Sequence, residues 1–222
     1  MDKKNILELK EISKDIRKNN ILDNINLKME GGKVYGLKGK NGCGKTMLMR
    51  VISGLIKPTK GQVIINNEVL GKDISFPRSI GVLIENPSFL RQYTGFDNLK
   101  MLASIKGEIG DEEIEATLKK VGLEPDDKRK YRKYSLGMKQ KLGIACAVME
   151  TPDIVILDEP INAIDQSGVE NVRSILDELK EKDKIIIIAC HDTEEMELLA
   201  DVIFEMENGK IVNERLNKAE NV

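Results

Sequence analysis

Tryptophan is absent from this 222-residue chain, and phenylalanine and tyrosine supply only four residues each. So few rings argue against a platform on which nucleobases stack. An excess of charge of one sign is missing too. With 37 acidic and 35 basic residues the formal net charge is −2, so no global field draws the chain to nucleic acid, and no nucleic-acid partner is expected. Cysteine is scarce: Cys43, Cys146 and Cys190 lack metal-ligand spacing and read as reduced thiols of a cytosolic protein, not a disulfide framework. The longest apolar run ends at Cys190 and falls far short of the ~20 residues of a membrane helix. Any work at a membrane must therefore pass through another chain. Internal repeats and low-complexity linkers are also lacking. The length suits one domain over residues 1–222, with a helical subdomain at about 87–150.

What is present is an alternation of short buried strands and amphipathic helices, the pattern of an α/β fold with a largely parallel sheet. Residues 5–37 alternate like strands, and Glu30-Gly31-Gly32-Lys33 supplies a turn between two of them. A helix is predicted from about Lys45 to Gly54, and hairpins around Asn66-Asn67 and Asn208-Gly209. Phe96, Leu99, Leu102 and Ile105, then Ile114, Leu118 and Val121, keep helical spacing. Further helices are predicted from Ser135 to Met149 and around Val169–Leu179.

Chemistry-bearing residues sit where these strands end. Gly39-Lys40-Asn41-Gly42-Cys43-Gly44-Lys45-Thr46 is glycine, four residues, then Gly-Lys-Thr, between a strand and a helix, which is a phosphate-binding loop. Its backbone amides and the helix N-terminus suit phosphate oxygens, Lys45 the β- and γ-phosphates, and the Thr46 hydroxyl Mg²⁺. The apolar run Ile154–Leu157 ends in Asp158 and Glu159, at the sheet edge where open α/β folds bind ligands. Asp158 there would hold the metal and Glu159 would act as general base on the attacking water. Another apolar strand delivers the only histidine, His191, whose neutral imidazole could bond the γ-phosphate and orient that water. Ser135 opens a helix as an N-cap, and the basic run Lys128–Lys133 just upstream reads as a solvated face.

Together the phosphate loop, the Ser135 helix start, the Asp158-Glu159 strand end, the following Ile161-Asn162-Ala163-Ile164-Asp165 and His191 resemble the ATP-binding cassette (ABC) family, over nearly all of residues 5–212. The resemblance implies a P-loop NTPase with a mainly parallel core sheet, an N-terminal antiparallel β subdomain and an α-helical subdomain. It implies an ATP-binding and ATP-hydrolysing subunit of a bacterial transporter that uses ATP and Mg²⁺. Such a subunit is cytoplasmic and peripheral on the inner face of the cell membrane, held there by a separate membrane-spanning permease. It also implies a head-to-tail homodimer that sandwiches two ATP molecules. Carried onto this chain, Gly39, Asn41, Gly42, Cys43, Gly44, Lys45, Thr46 and Met47 bind one nucleotide. Ser135 and Gly137 of the second copy reach its γ-phosphate, and Asp165 crosses the interface.

Three departures stand out. Leu136 and Met138 replace a glycine and the glutamine of the usual signature. Glu85 stands in place of a glutamine and, as a carboxylate, would join Thr46 and Asp158 around the metal. Ile16 takes the place of an adenine-stacking aromatic. The pairing of Glu85-Asn86-Pro87 with Ser135-Leu136-Gly137-Met138-Lys139-Gln140 resembles the branch for peptide-antibiotic export and self-protection, such as the bacitracin and lantibiotic transporters. The competing class, a soluble ATPase regulator acting without a transporter, is disfavoured by a single cassette without heptads.

Overall fold

The computed structural model describes residues 4–217. The chain begins with β1 (Ile6–Ile16), β2 (Asn19–Glu30), β3 (Lys33–Lys38), α1 (Lys45–Ile52), β4 (Lys60–Ile65), β5 (Glu68–Val69) and β6 (Ile80–Leu83). Helices α2 (Gly95–Lys106), α3 (Asp111–Lys120) and α4 (Leu136–Val148) follow, with a single 3₁₀ turn at Tyr131–Lys133. Then come β7 (Ile154–Asp158), α5 (Gln166–Glu181), β8 (Ile185–Cys190), α6 (Thr193–Leu199), β9 (Val202–Glu207) and β10 (Lys210–Leu216). One sheet is antiparallel, in the order β2-β1-β4-β5. The other runs β10-β9-β3-β8-β7-β6 and is parallel except for its β9–β10 hairpin.

The unbroken apolar runs of β7 and β8 follow from burial on both faces of the second sheet. Ile154, Ile156, Ile185 and Ile187 point to one side, where they meet Leu48, Met49 and Ile52 of α1 and Leu7, Leu9 and Leu22 of the antiparallel sheet. Val155, Leu157, Ile186 and Ile188 point to the other, against Leu142 and Ala145 of α4 and Val172 and Leu176 of α5. Helix α1 is therefore clamped between two sheets, and its N-terminus is fixed in space. It ends at Ile52, with Gly54 in the left-handed region just past it, two residues short of the predicted extent. Both hairpin turns have left-handed central residues, Asn66-Asn67 at φ 50° and 70° and Asn208-Gly209 at 47° and 79°, the geometry that matches strand twist. The Gly31-Gly32 turn closes no hairpin; it hands the chain from one sheet to the other.

Strand register places the chemistry. Lys38 pairs with Cys190, and Asp158 with Ala189. The loop starting at Gly39, Glu159 and His191 therefore leave the parallel sheet from the same carboxyl edge, although 152 positions (191 − 39) separate the first from the last.

Candidate nucleotide site

The phosphate loop links β3 to α1. Gly42 and Gly44 take φ of 82° and 114°, conformations that side chains rarely adopt, and Gly44 is the N-cap of α1. No side chain caps that terminus, so its amide donors remain for an anion. The loop is buttressed from behind: Cys43 N donates to Lys40 O at 3.1 Å, and Gly209 N of the β9–β10 turn donates to Cys43 O at 2.9 Å. Cys43 is buried, whereas Asn41 and Gly42 are exposed. Lys45 is only 7% exposed, and its ammonium donates to the carbonyls of Gly39 at 2.6 Å and Lys40 at 3.3 Å. A cleft of ≈ 310 Å³ opens over the loop, lined among others by Lys45, Thr46, Met47, Asp158 and Glu159. Ile21 borders this cleft and Ile16 does not, so the residue singled out for the base position lies away from the phosphate end.

Across the cleft the Thr46 hydroxyl donates to Asp158 Oδ2 at 3.0 Å. Burial raises the Asp158 pKa, the Thr46 bond opposes the rise, and the neighbouring Glu159 carboxylate adds to it. A hydroxyl and a carboxylate so close form an all-oxygen donor pair that suits a hard cation such as Mg²⁺, with substrate oxygens and water as further ligands. Glu85, the third ligand expected from the sequence, accepts from Arg50 Nη2 at 2.5 Å, and its charge adds to the rise of the Asp158 pKa.

Glu159 has φ 50°, a left-handed conformation unusual for its type and of the kind that concentrates at functional sites. Its amide donates to Ala189 O at 2.9 Å, tying it to β8. His191 Nδ1 lies 2.8 Å from Glu159 Oε2. An ionised Glu159 accepts from Nδ1–H and leaves Nε2 to face outward. The bond to Glu159, then its charge, raises the His191 pKa. The carboxylate partner thus shifts the ring towards the imidazolium relative to a free histidine.

The remaining predicted residues lie on α4 and the loop after β7. Ser135 is exposed and caps α4, its Oγ accepting from Met138 N at 3.2 Å. Gly137 is needed at close quarters: a Cβ there would stand 2.6 Å from Ala163 O. Asp165 accepts from Lys141 Nζ and from Ser167 Oγ, each at 2.8 Å, and the Lys141 bond is the main reason its pKa is lowered to about 2. Neither Ser135 nor Gly137 borders the phosphate cleft of its own chain. Gln140 was missed by sequence reasoning. Its Nε2 donates to Glu159 O at 2.8 Å and Pro160 O at 3.3 Å, fastening α4 to the peptide that carries Glu159. The available signal was three adjacent long polar side chains, Lys139, Gln140 and Lys141, just before the apolar second half of the helix.

Comparison with known proteins agrees with this geometry. The ABC transporter family model matches residues 22–162. The uncharacterised ABC transporter ATP-binding protein YybJ of Bacillus subtilis (strain 168) is 48% identical over 206 residues, 93% of this chain and 94% of that one. The bacitracin transport ATP-binding protein BcrA of Enterococcus faecalis is 38% identical over 211 residues, 94% of this chain and 68% of its own. A solved ATP-binding subunit of an ABC transporter matches with a TM-score of 0.85 at 27% identity, covering 95% of this chain and 90% of that one. A phosphate loop facing an Asp-Glu strand end on this fold, with relatives of such coverage, has one conclusion: the chain belongs to the ABC transporter family, as an ATP-binding cassette ATPase.

Proposed function

We propose that the chain hydrolyses ATP with Mg²⁺ in a homodimer and so drives a separate membrane-spanning permease. The observation that carries the chemistry is the run of contacts from Thr46 through Asp158 to Glu159 and His191 beside the uncapped N-terminus of α1. The amides of Gly42–Thr46 and the Lys45 ammonium cradle the phosphates, once the ammonium exchanges the Gly39 carbonyl for a phosphate oxygen. Thr46 and Asp158 would hold Mg²⁺, which when bound would offset phosphate charge. Glu159 Oε accepts a proton from the water that attacks the terminal phosphorus, while the bond from that phosphorus to the bridging oxygen breaks and ADP leaves with the electron pair. His191 fixes that carboxylate through Nδ1 and presents Nε2 to the phosphate.

The dimer is supported by the division of donors within one chain. The exposed Ser135 and the Gly137 amide belong to α4 and do not border their own cleft, so a second copy is what would bring them to the nucleotide. The permease is assigned to a groove of ≈ 620 Å³ beside Glu85, formed by Leu83, Asn86, Pro87, Phe89 and Leu102, with Leu90 54% exposed at its edge. Among the described residues no helix is long and apolar enough to cross a membrane. Likeness to the bacitracin transport protein supports peptide antibiotics as the cargo class, and a permease partner would hold the chain at the inner membrane face.

Glu159→Gln tests the chemistry. Turnover is expected to fall by about 10²–10⁴-fold, the usual worth of a general base, with ATP affinity kept. A rate that survives the substitution removes Glu159 from the role.

A further inference from the structure

Arg50 lies one turn beyond Thr46 on α1, so the two side chains share a face of that helix at i, i+4 spacing. Each meets a carboxylate at the end of a neighbouring strand: Thr46 Oγ1 donates to Asp158 Oδ2 at 3.0 Å, and Arg50 Nη2 donates to Glu85 Oε1 at 2.5 Å. Leu83 pairs with Leu157 in the parallel sheet, so Asp158 comes one residue and Glu85 two residues past that pair. Glu85, Asp158 and Glu159 thus lie around one sheet edge at which a polyanion is to bind, and each carboxylate repels it. Glu85 has φ 63°, so its backbone is committed to an uncommon conformation.

We propose that Arg50 is a positioning residue for nucleotide binding: it draws Glu85 aside and cancels its charge, so that a carboxylate can border the triphosphate site. Arg50 and Glu85 are 30% and 62% exposed, and a pair so open to water adds little to folding stability. Its effect belongs to ligand binding, where an uncompensated charge would face phosphate. Glu85 then acts as a neutralised neighbour and not as a metal ligand. This deepens the function proposed above and rests on its placing of a nucleotide on the loop.

The test is calorimetric titration of the full chain and its variants with ATP in EDTA and with AMP-PNP in Mg²⁺, with thermal melting alongside. Arg50→Met is expected to bind about 3- to 10-fold more weakly in both conditions, the scale for one exposed like charge several ångströms away. Glu85→Gln should bind at least as tightly as the native chain. The double variant should return to within about twofold of Glu85→Gln, the non-additivity of a coupled pair. A general loss of structure would instead persist in the double variant. Native affinity in Arg50→Met, or a double variant as weak as Arg50→Met, overturns the proposal. So does a Glu85→Gln variant that weakens in Mg²⁺ but not in EDTA, because Glu85 is then a metal ligand. A native chain that binds no nucleotide fails the functional reading itself, whereas native binding with an indifferent Arg50→Met fails only this inference.

Discussion

Lys45 and His191 are each held by polar groups of the site itself, the ammonium by loop carbonyls and the imidazole by the Glu159 carboxylate. The Lys45 ammonium sits on carbonyls of its own loop, which keeps a nearly buried cation satisfied and near the phosphate position. Lys45→Ala removes the buried ammonium of the loop and is expected to reduce ATP binding below detection by calorimetry; unchanged affinity would contradict the loop's assignment. His191 is mostly exposed and faces Glu159, with Glu195 and Asp192 as weaker negative neighbours. Its folded pKa is raised, so the pair's contribution to stability is complete below the ordinary histidine value and is lost as pH rises through the raised one. The melting-temperature difference between the native chain and His191→Ala should therefore be larger at about pH 6 than at about pH 9. A difference that is constant across that window would remove the ion pair.

At the scale of elements, α4 and the loop after β7 behave as one piece. Gln140 and Lys141 bond the loop at Glu159, Pro160 and Asp165, and Gly137 lets Ala163 O approach the helix. Alanine normally favours a helix over glycine by roughly 0.5–1 kcal/mol. Here its Cβ would meet a backbone oxygen that no rotamer change can move, and overpacking of that kind costs about 1–3 kcal/mol. Gly137→Ala should thus lower the denaturant midpoint; a raised midpoint would mean that the loop is free of the helix. The contacts from Gln140, Lys141 and Gly137 give the two segments a rigid connection through which the state of Glu159 can be felt at the Ser135 helix terminus.

How much of this was legible before the structure depends on sequence distance. The phosphate loop, the Asp158-Glu159 strand end, the Ser135 N-cap and both hairpins are written in contiguous residues, since glycine conformation, capping and strand alternation are local effects. The Arg50–Glu85 and Gln140–Glu159 contacts join residues 35 and 19 positions apart, and they exist only because α1 and α4 pack on particular faces of the parallel sheet. No local pattern encodes that packing. For the same reason the Gly31-Gly32 turn is legible as a turn between two strands, whereas the fact that those strands belong to different sheets is not.

For the whole molecule, the division of labour between sheet edge and helix is the central fact. One surface offers a cradle of amides, a cation and two carboxylates; another offers the α4 terminus with Ser135 exposed and Leu136 65% exposed beside it. In the function proposed above, the side of the nucleotide that the cradle does not cover is closed by a second copy whose α4 terminus faces the first copy's loop. Light scattering of the Glu159→Gln variant with excess ATP and Mg²⁺, in the presence and absence of the permease's membrane fraction, tests this most directly. The account predicts a particle of twice the monomer mass that retains ATP and falls apart when Ser135→Arg is added. Nucleotide held by a species that stays monomeric under both conditions would contradict it.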